Sequence, residues 1–264
     1  MTSTTAPEMT RIEDGVLQIT IATSAAGATL DFNGVDQGIK ALQSLDSSVG
    51  AILLVGSGDN FCTGGNVHAF ASAPERGAYV RDVAGRLHNF VRALRGAPAP
   101  VVAGVQGWAT GAGMSLVCAS DISIGGPSTK LRPAYPGIGF TPDGGLSWTL
   151  PRIVGISRAR EILLTNATLS GDEAVRLGIL GRLVGDEVVV DEALRVARTL
   201  AAGPTSAHAG IKKLLADSIT STLSDHLDAE TDSISAAADS AAGREGVDAF
   251  VEKRRPQFGD IAPE

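Results

Sequence analysis

Residues 107–121 read GWATGAGMSLVCASD, directly after the apolar run PVVAGVQ at 100–106. The run has strand composition, Gly107 and Gly111 punctuate a turn, and GMSLVCAS is apolar enough for a buried helix, so the local order is strand, turn, helix. A helix that starts near Gly111 directs its unpaired N–H groups and the positive end of its dipole toward whatever lies at the strand end. FCTGGNV at 61–67 has the same local logic after another strand-like run, VGAILLVGS at 49–57. Gly64, Gly65, Gly111 and Gly113 admit close approach of a ligand oxygen, and two N–H groups aimed at one carbonyl oxygen make an oxyanion hole. The same glycines also suit tight turns and close packing, and neither segment alone chooses between these roles.

Outward from these segments, GVLQITIAT (15–23) and SDISIGG (120–126) are further Val- and Ile-rich runs bounded by turn residues. Helices are expected at 34–45 and at 76–96, where Val80, Val83, Leu87, Val91 and Leu94 recur at spacings of three and four. Strands alternating with helices give an α/β core. From Leu150 onward the pattern is mostly helical, with one short apolar piece, GILGRLVG, and the Ala/Ser/Asp-rich stretch 227–243 reads as an exposed helix. No internal repeat of fixed period is visible.

With 264 residues, 44% of them hydrophobic and 19% charged, the chain can bury a sizeable core. A net charge of -7 leaves no basic excess for nucleic acid or an anionic membrane surface, so an anionic ligand needs a local basic patch. Residues 97–120 carry no formal charge, yet Pro98, Pro100, Gln106 and the glycines break them up as a membrane span. Cys62 and Cys118 show neither metal spacing nor a disulfide framework, and MTSTTAPEMTRIEDG lacks a basic-then-apolar signal pattern, which points to the cytoplasm. The four histidines have no ligand spacing, and the phosphate-loop, dinucleotide and GxSxG motifs are missing, so the expected chemistry uses protein groups without a metal.

GFTPDGGLSW at 139–148 holds Asp143 between a proline and two glycines. The carboxylate is placed to cap the helix expected next, or to act as an acid or base with its pKa moved by Phe140, Leu146 and Trp148.

Four ordered blocks, FCTGGNV, GWATGAGMSLVCASD, GFTPDGGLSWTLPRIVG and FVEKRRPQF, resemble the crotonase, or enoyl-CoA hydratase/isomerase, superfamily over about Gly15 to Phe258. The resemblance implies a spiral of ββα units over 1–200 and a helical trimerisation region over 201–264. It implies an acyl-CoA substrate, with coenzyme A as part of the substrate and no separate cofactor, and a homotrimer or dimer of trimers. The Gly65 and Ala112 N–H groups would polarise the thioester carbonyl and stabilise an enolate. Substrate contacts are expected from Ala26, Gly64, Asn66, His68, Gly111, Tyr135, Phe250 and Lys253, with Lys253, Arg254 or Arg255 pairing the phosphates or simply favouring a helix dipole.

The departures from the family pattern direct the reading further. Hydratases of the family use two glutamates, and those positions hold Ser115 and Tyr135, neither a carboxylate. Asp143 stands where isomerases and aromatic dehalogenases of the family place an active aspartate, and His88 aligns with the dehalogenase base while also suiting a helix face. The expected activity is double-bond isomerisation with Asp143 as acid/base. Hydration with non-standard residues and noncatalytic thioester binding remain as alternatives.

Overall fold

The structure, a computed structural model, describes residues 7–258. Strands β1 (Thr10–Glu13) and β2 (Val16–Thr23) form an antiparallel pair, and helix α1 (Phe32–Gln43) follows. Its start lies two residues before the expected 34, because the Asp31 carboxylate accepts from the Asn33 N–H at 2.9 Å and caps it there. Strand β3 (Ala51–Ser57), short helix α2 (Val67–Ser72) and long helix α3 (Arg76–Gly96) come next, the last with the expected bounds. Then come β4 (Val101–Val105), β5 (Trp108–Thr110), α4 (Ala112–Ala119), β6 (Ile122–Gly125), β7 (Lys130–Arg132), α5 (Leu146–Val154) and α6 (Ile156–Thr165). The chain continues through β8 (Leu169–Ser170), α7 (Gly171–Arg176), β9 (Arg182–Leu183), α8 (Val189–Ala201), α9 (Thr205–Asp217), α10 (Leu223–Asp239) and α11 (Ala241–Val251). GILGRLVG thus contributes only the two residues of β9 as strand.

A six-stranded sheet of order β1-β2-β3-β4-β6-β9 is parallel from β2 onward, and a three-stranded sheet has the order β5-β7-β8. From β4 to β7 consecutive strands alternate between the sheets: β4 enters the large one and β5 the small one before α4, and β6 and β7 repeat the step before α5. A bridge between Cys62 and Ala109 adds the chain after β3 to the small sheet in the same way. This is the ββα spiral, repeated in space without a repeated sequence.

Alternation along β3 explains why its run is apolar throughout. Ile52 and Leu54 join the core formed with Leu87, Phe90 and Leu94 of α3, whereas Leu53 and Val55 pack with Ala193 and Ala197 of α8. Every residue of α4 is buried, so the charge-free segment is central in the fold. Among the described residues no helix is long and apolar enough to cross a membrane. Helices α9 and α10 have no buried residue, and Leu215, Leu223, Ile234, Phe250 and Val251 of α9–α11 are all more than 65% exposed, at 67%, 75%, 71%, 85% and 71%.

Candidate active site

The two glycine segments are stitched to each other through their main chains. The Cys62 N–H donates to the Trp108 carbonyl at 3.1 Å, and the Thr110 N–H donates back to the Cys62 carbonyl at 2.9 Å. A methyl group at Gly113 would lie 2.3 Å from the Cys62 oxygen, so only glycine lets α4 come this close. Gly111 turns the chain at φ 53° and uses its own N–H on the Arg132 carbonyl at 3.0 Å. Helix α4 therefore begins at Ala112, whose N–H belongs to the unpaired first turn. Among the described residues neither this N–H nor that of Gly65 has a protein acceptor.

Both segments border a cavity of about 620 Å³, lined by Gly64, Gly65, Gly111, Ala112, Tyr135 and Asp143 and otherwise largely by apolar side chains. Phe70 and Phe140 stack on one of its walls with ring centroids 6.0 Å apart. Arg76 lines it too, its Nε donating to the Phe70 carbonyl at 3.1 Å. The spacing of the sequence gave no reason to select Arg76.

Asp143 is not the helix cap that its neighbours suggested. Gly144 and Gly145 both have positive φ, Gly145 takes the N-cap position, and no side chain caps α5. The two glycines move the helix start beyond the reach of Asp143, whose Oδ1 instead accepts the Tyr135 hydroxyl at 2.7 Å. The Tyr135 Oη lies 3.0 Å from the Ser115 Oγ, which is also 3.0 Å from the Asp143 carbonyl and 3.2 Å from that of Gly111. Ser115 and Tyr135 thus meet each other beside Asp143, Tyr135 on its carboxylate and Ser115 on its main-chain carbonyl. Burial, and next the adjacent Asp143 charge, push the Tyr135 phenol pKa far above its ordinary value, so it keeps its proton.

His88 reaches the same turn from α3. Its Nε2 accepts the Gly144 N–H at 3.2 Å, which occupies that nitrogen's lone pair and makes the ring a prop for the turn. The buried thiols of Cys62 and Cys118 are pushed up to about 12 by desolvation, which keeps them protonated and unsuited to nucleophilic work.

Comparison with known proteins covers nearly the whole chain. The enoyl-CoA hydratase/isomerase family model matches residues 11–261. The chain belongs to that family. Among relatives of this enoyl-CoA hydratase/isomerase family member, 1,2-epoxyphenylacetyl-CoA isomerase of Escherichia coli K12 is 39% identical, over 81% of this chain and 82% of the relative. The 4-chlorobenzoyl coenzyme A dehalogenase-1 of Arthrobacter sp. is 34% identical, over 70% of this chain and 68% of the relative. The crystal structure of an enoyl-CoA hydratase from Polaromonas sp. JS666 superposes with a TM-score of 0.89 at 31% identity, covering 94% of this chain and 98% of that one.

The other residues that the resemblance selected lie outside the cavity lining. Ala26 ends an exposed turn in which its N–H donates to the Thr23 Oγ1 at 3.3 Å and its carbonyl accepts the Thr29 hydroxyl at 2.9 Å. Asn66 caps α2 by accepting the Ala69 N–H at 3.1 Å, and His68 is exposed on that helix. Phe250 and Lys253 are exposed at the end of α11. Arg254 beside them is committed to Glu245 and Glu252, each at 2.6 Å, and holds the Glu245 carboxyl down at about 2.

Proposed function

We propose that this family member is an acyl-CoA isomerase that moves a double bond through an enolate, with Asp143 as the acid/base and the Gly65 and Ala112 N–H groups as the oxyanion hole. The observation that carries this reading is that Asp143 is the one carboxylate among the described residues lining an otherwise largely apolar cavity, whose lining also includes Gly65 and Ala112, two residues whose N–H groups have no protein acceptor among the described residues. Asp143 removes a proton activated by the thioester, the charge moves onto the thioester oxygen, and the same carboxyl returns the proton at a different carbon. No water is consumed and the product has the substrate's mass. Preorganised N–H donors are what make such a weak carbon acid accessible near neutral pH. The relatives' printed names, a 1,2-epoxyphenylacetyl-CoA isomerase and a 4-chlorobenzoyl coenzyme A dehalogenase, denote ring-bearing acyl thioesters, which are compatible with the aromatic wall of Phe70 and Phe140.

The test is Asp143→Asn with a panel of CoA thioesters in deuterated water, followed by mass spectrometry. The amide oxygen still accepts the Tyr135 hydroxyl, so the melting temperature should change little. Proton exchange should fall roughly 100-fold to 10,000-fold, the usual loss for a positioned proton-transfer group. Thioester binding should persist. Full exchange in Asp143→Asn would reject the assignment, and a product heavier by one water in the parent enzyme would identify a hydratase. Binding with no exchange in the parent would identify a noncatalytic binder.

The exposed apolar residues of α9–α11 fit burial between copies of the chain, as a homotrimer or dimer of trimers. Lys253 and Arg255 would then be available to coenzyme A phosphates. Light scattering at micromolar concentration should report three or six copies, and monomer alone would reject this assembly.

A further inference from the structure

With the carboxyl proton placed on Oδ1, the atom that faces Tyr135, the contacts among Ser115, Tyr135 and Asp143 admit a complete proton assignment in each state of the acid. When the Asp143 carboxylate is ionised it only accepts, so Tyr135 donates to Oδ1 across 2.7 Å and its own oxygen is left to accept from the Ser115 Oγ at 3.0 Å. When Asp143 carries the proton, the same contacts run the other way. Oδ1–H donates to the Tyr135 oxygen, Tyr135 donates to Ser115, and Ser115 donates to the carbonyl of Gly111 at 3.2 Å or of Asp143 at 3.0 Å. Both carbonyls have other donors, the Ser115 N–H at 3.0 Å and the Leu146 N–H at 3.2 Å, so neither requires the serine proton.

We propose that Ser115 and Tyr135 form a reversible hydrogen-bond chain that serves Asp143 in both protonation states, turning over its direction without moving a heavy atom. Its use in turnover rests on the reading that Asp143 is the acid/base; its existence does not. Burial makes each link of the chain costly to leave unmade. Ser115 is fully buried and Tyr135 is 9% exposed, so water does not readily replace either partner, and a phenol proton without an acceptor there carries the full desolvation cost. The upward push on the Tyr135 phenol ensures that there is always one proton on it to point one way or the other. Ser115 and Tyr135 are positioning residues here: they act through Asp143. An acid/base that must take up and release one proton per cycle is well matched to such a partner, because neither state is left with an unpaired buried group.

The test reads the carboxyl directly, without turnover. Protein labelled with ¹³C at the aspartate carboxyl carbon is titrated by NMR, and the Asp143 signal is assigned by its loss in Asp143→Asn. The other titratable or charged groups facing this turn and its cavity are His88, through Gly144, and Arg76; the His88 ring protons are followed separately. Tyr135→Phe should raise the Asp143 midpoint by about one pH unit, because a hydrogen bond to the ionised carboxylate is roughly twice as strong as one to the neutral acid. Ser115→Ala should lower it. With no oxygen at residue 115, the phenol proton has only the Asp143 carboxyl to point to, and the ionised carboxylate accepts it more strongly than the neutral acid does. In the unsubstituted protein the Tyr135 ¹³Cζ signal should shift with the same midpoint as the Asp143 carboxyl, a readout that does not depend on either variant folding. Opposite shifts in the two variants support the chain whether or not Asp143→Asn loses activity. An unchanged or raised midpoint in Ser115→Ala, or a Tyr135 signal that ignores the Asp143 titration, overturns it.

Discussion

Thr63–Gly65 and Pro142–Asp143 line one cavity from different turns of the spiral and differ in their chemistry. The first, together with Gly111 and Ala112, is held by a mesh of main-chain hydrogen bonds that leaves the Gly65 and Ala112 N–H groups without a protein acceptor among the described residues. The second offers a side-chain carboxylate that accepts the Tyr135 hydroxyl, with the Ser115 hydroxyl on the phenol oxygen behind it. On the N–H side, a residue's side chain matters mainly through the space it would fill. On the carboxylate side, the identity of each side chain sets the protonation chemistry. Substitutions in the two places should therefore fail in different ways.

The largest effect is expected at the closest main-chain approach. Gly113→Ala puts a methyl group 2.3 Å from the Cys62 carbonyl oxygen, and main chain on both sides leaves no flexible side chain to yield. Overpacking of this kind costs about 1–3 kcal/mol. It should also separate the Gly65 and Ala112 N–H groups, so denaturant unfolding should show the lost stability and calorimetry a loss of CoA-thioester binding. If Gly113→Ala keeps both, the mesh is looser than its distances imply and the contrast with the carboxylate side weakens. Asp143→Asn is the complementary case, with stability and binding kept and proton exchange lost.

The same contrast explains what could be read in the sequence. The N–H side was legible because close main-chain approach demands glycine, and FCTGGNV and GWATGAG carry that demand in the chain itself. Strands β2, β3, β4 and β6 and helix α3 were legible because their apolar spacing follows burial on one or both faces, whereas β1 and the short strands β5, β7 and β8 of the small sheet left no such pattern. The hydrogen-bond chain was not, since Ser115, Tyr135 and Asp143 come from three elements at separations with no periodicity, and hydroxyls seldom announce a partner. The sequence pattern offered Asp143 as a cap because an acidic residue just ahead of an apolar run usually is one; two successive left-handed glycines displaced the helix start instead. The spatial repetition of ββα units also left no sequence period, because each turn of the spiral buries a different surface.

The smallest of these effects, and the most discriminating, separates strain from contact on the carboxylate side. Gly144 and Gly145 have φ of 59° and 79°, so alanine at either carries the cost of a left-handed conformation, about 1–2 kcal/mol. Their surroundings differ. A methyl group at Gly145 meets nothing within 4 Å, whereas one at Gly144 lies 2.7 Å from the Ser115 Cβ and 3.1 Å from its Oγ. Gly145→Ala should lose stability while proton exchange at saturating thioester stays close to that of the parent. Gly144→Ala should lose more stability, and it must also push Ser115 or the main chain carrying Asp143. A displacement of about 1 Å at a reacting group can cost on the order of 100-fold in rate. Comparing the two variants by denaturant unfolding and by deuterium exchange removes the shared strain and leaves the contact with Ser115. Equal exchange rates would mean that Asp143 is not held through its contact with Ser115, and that the carboxylate side tolerates displacement as readily as exposed surface does.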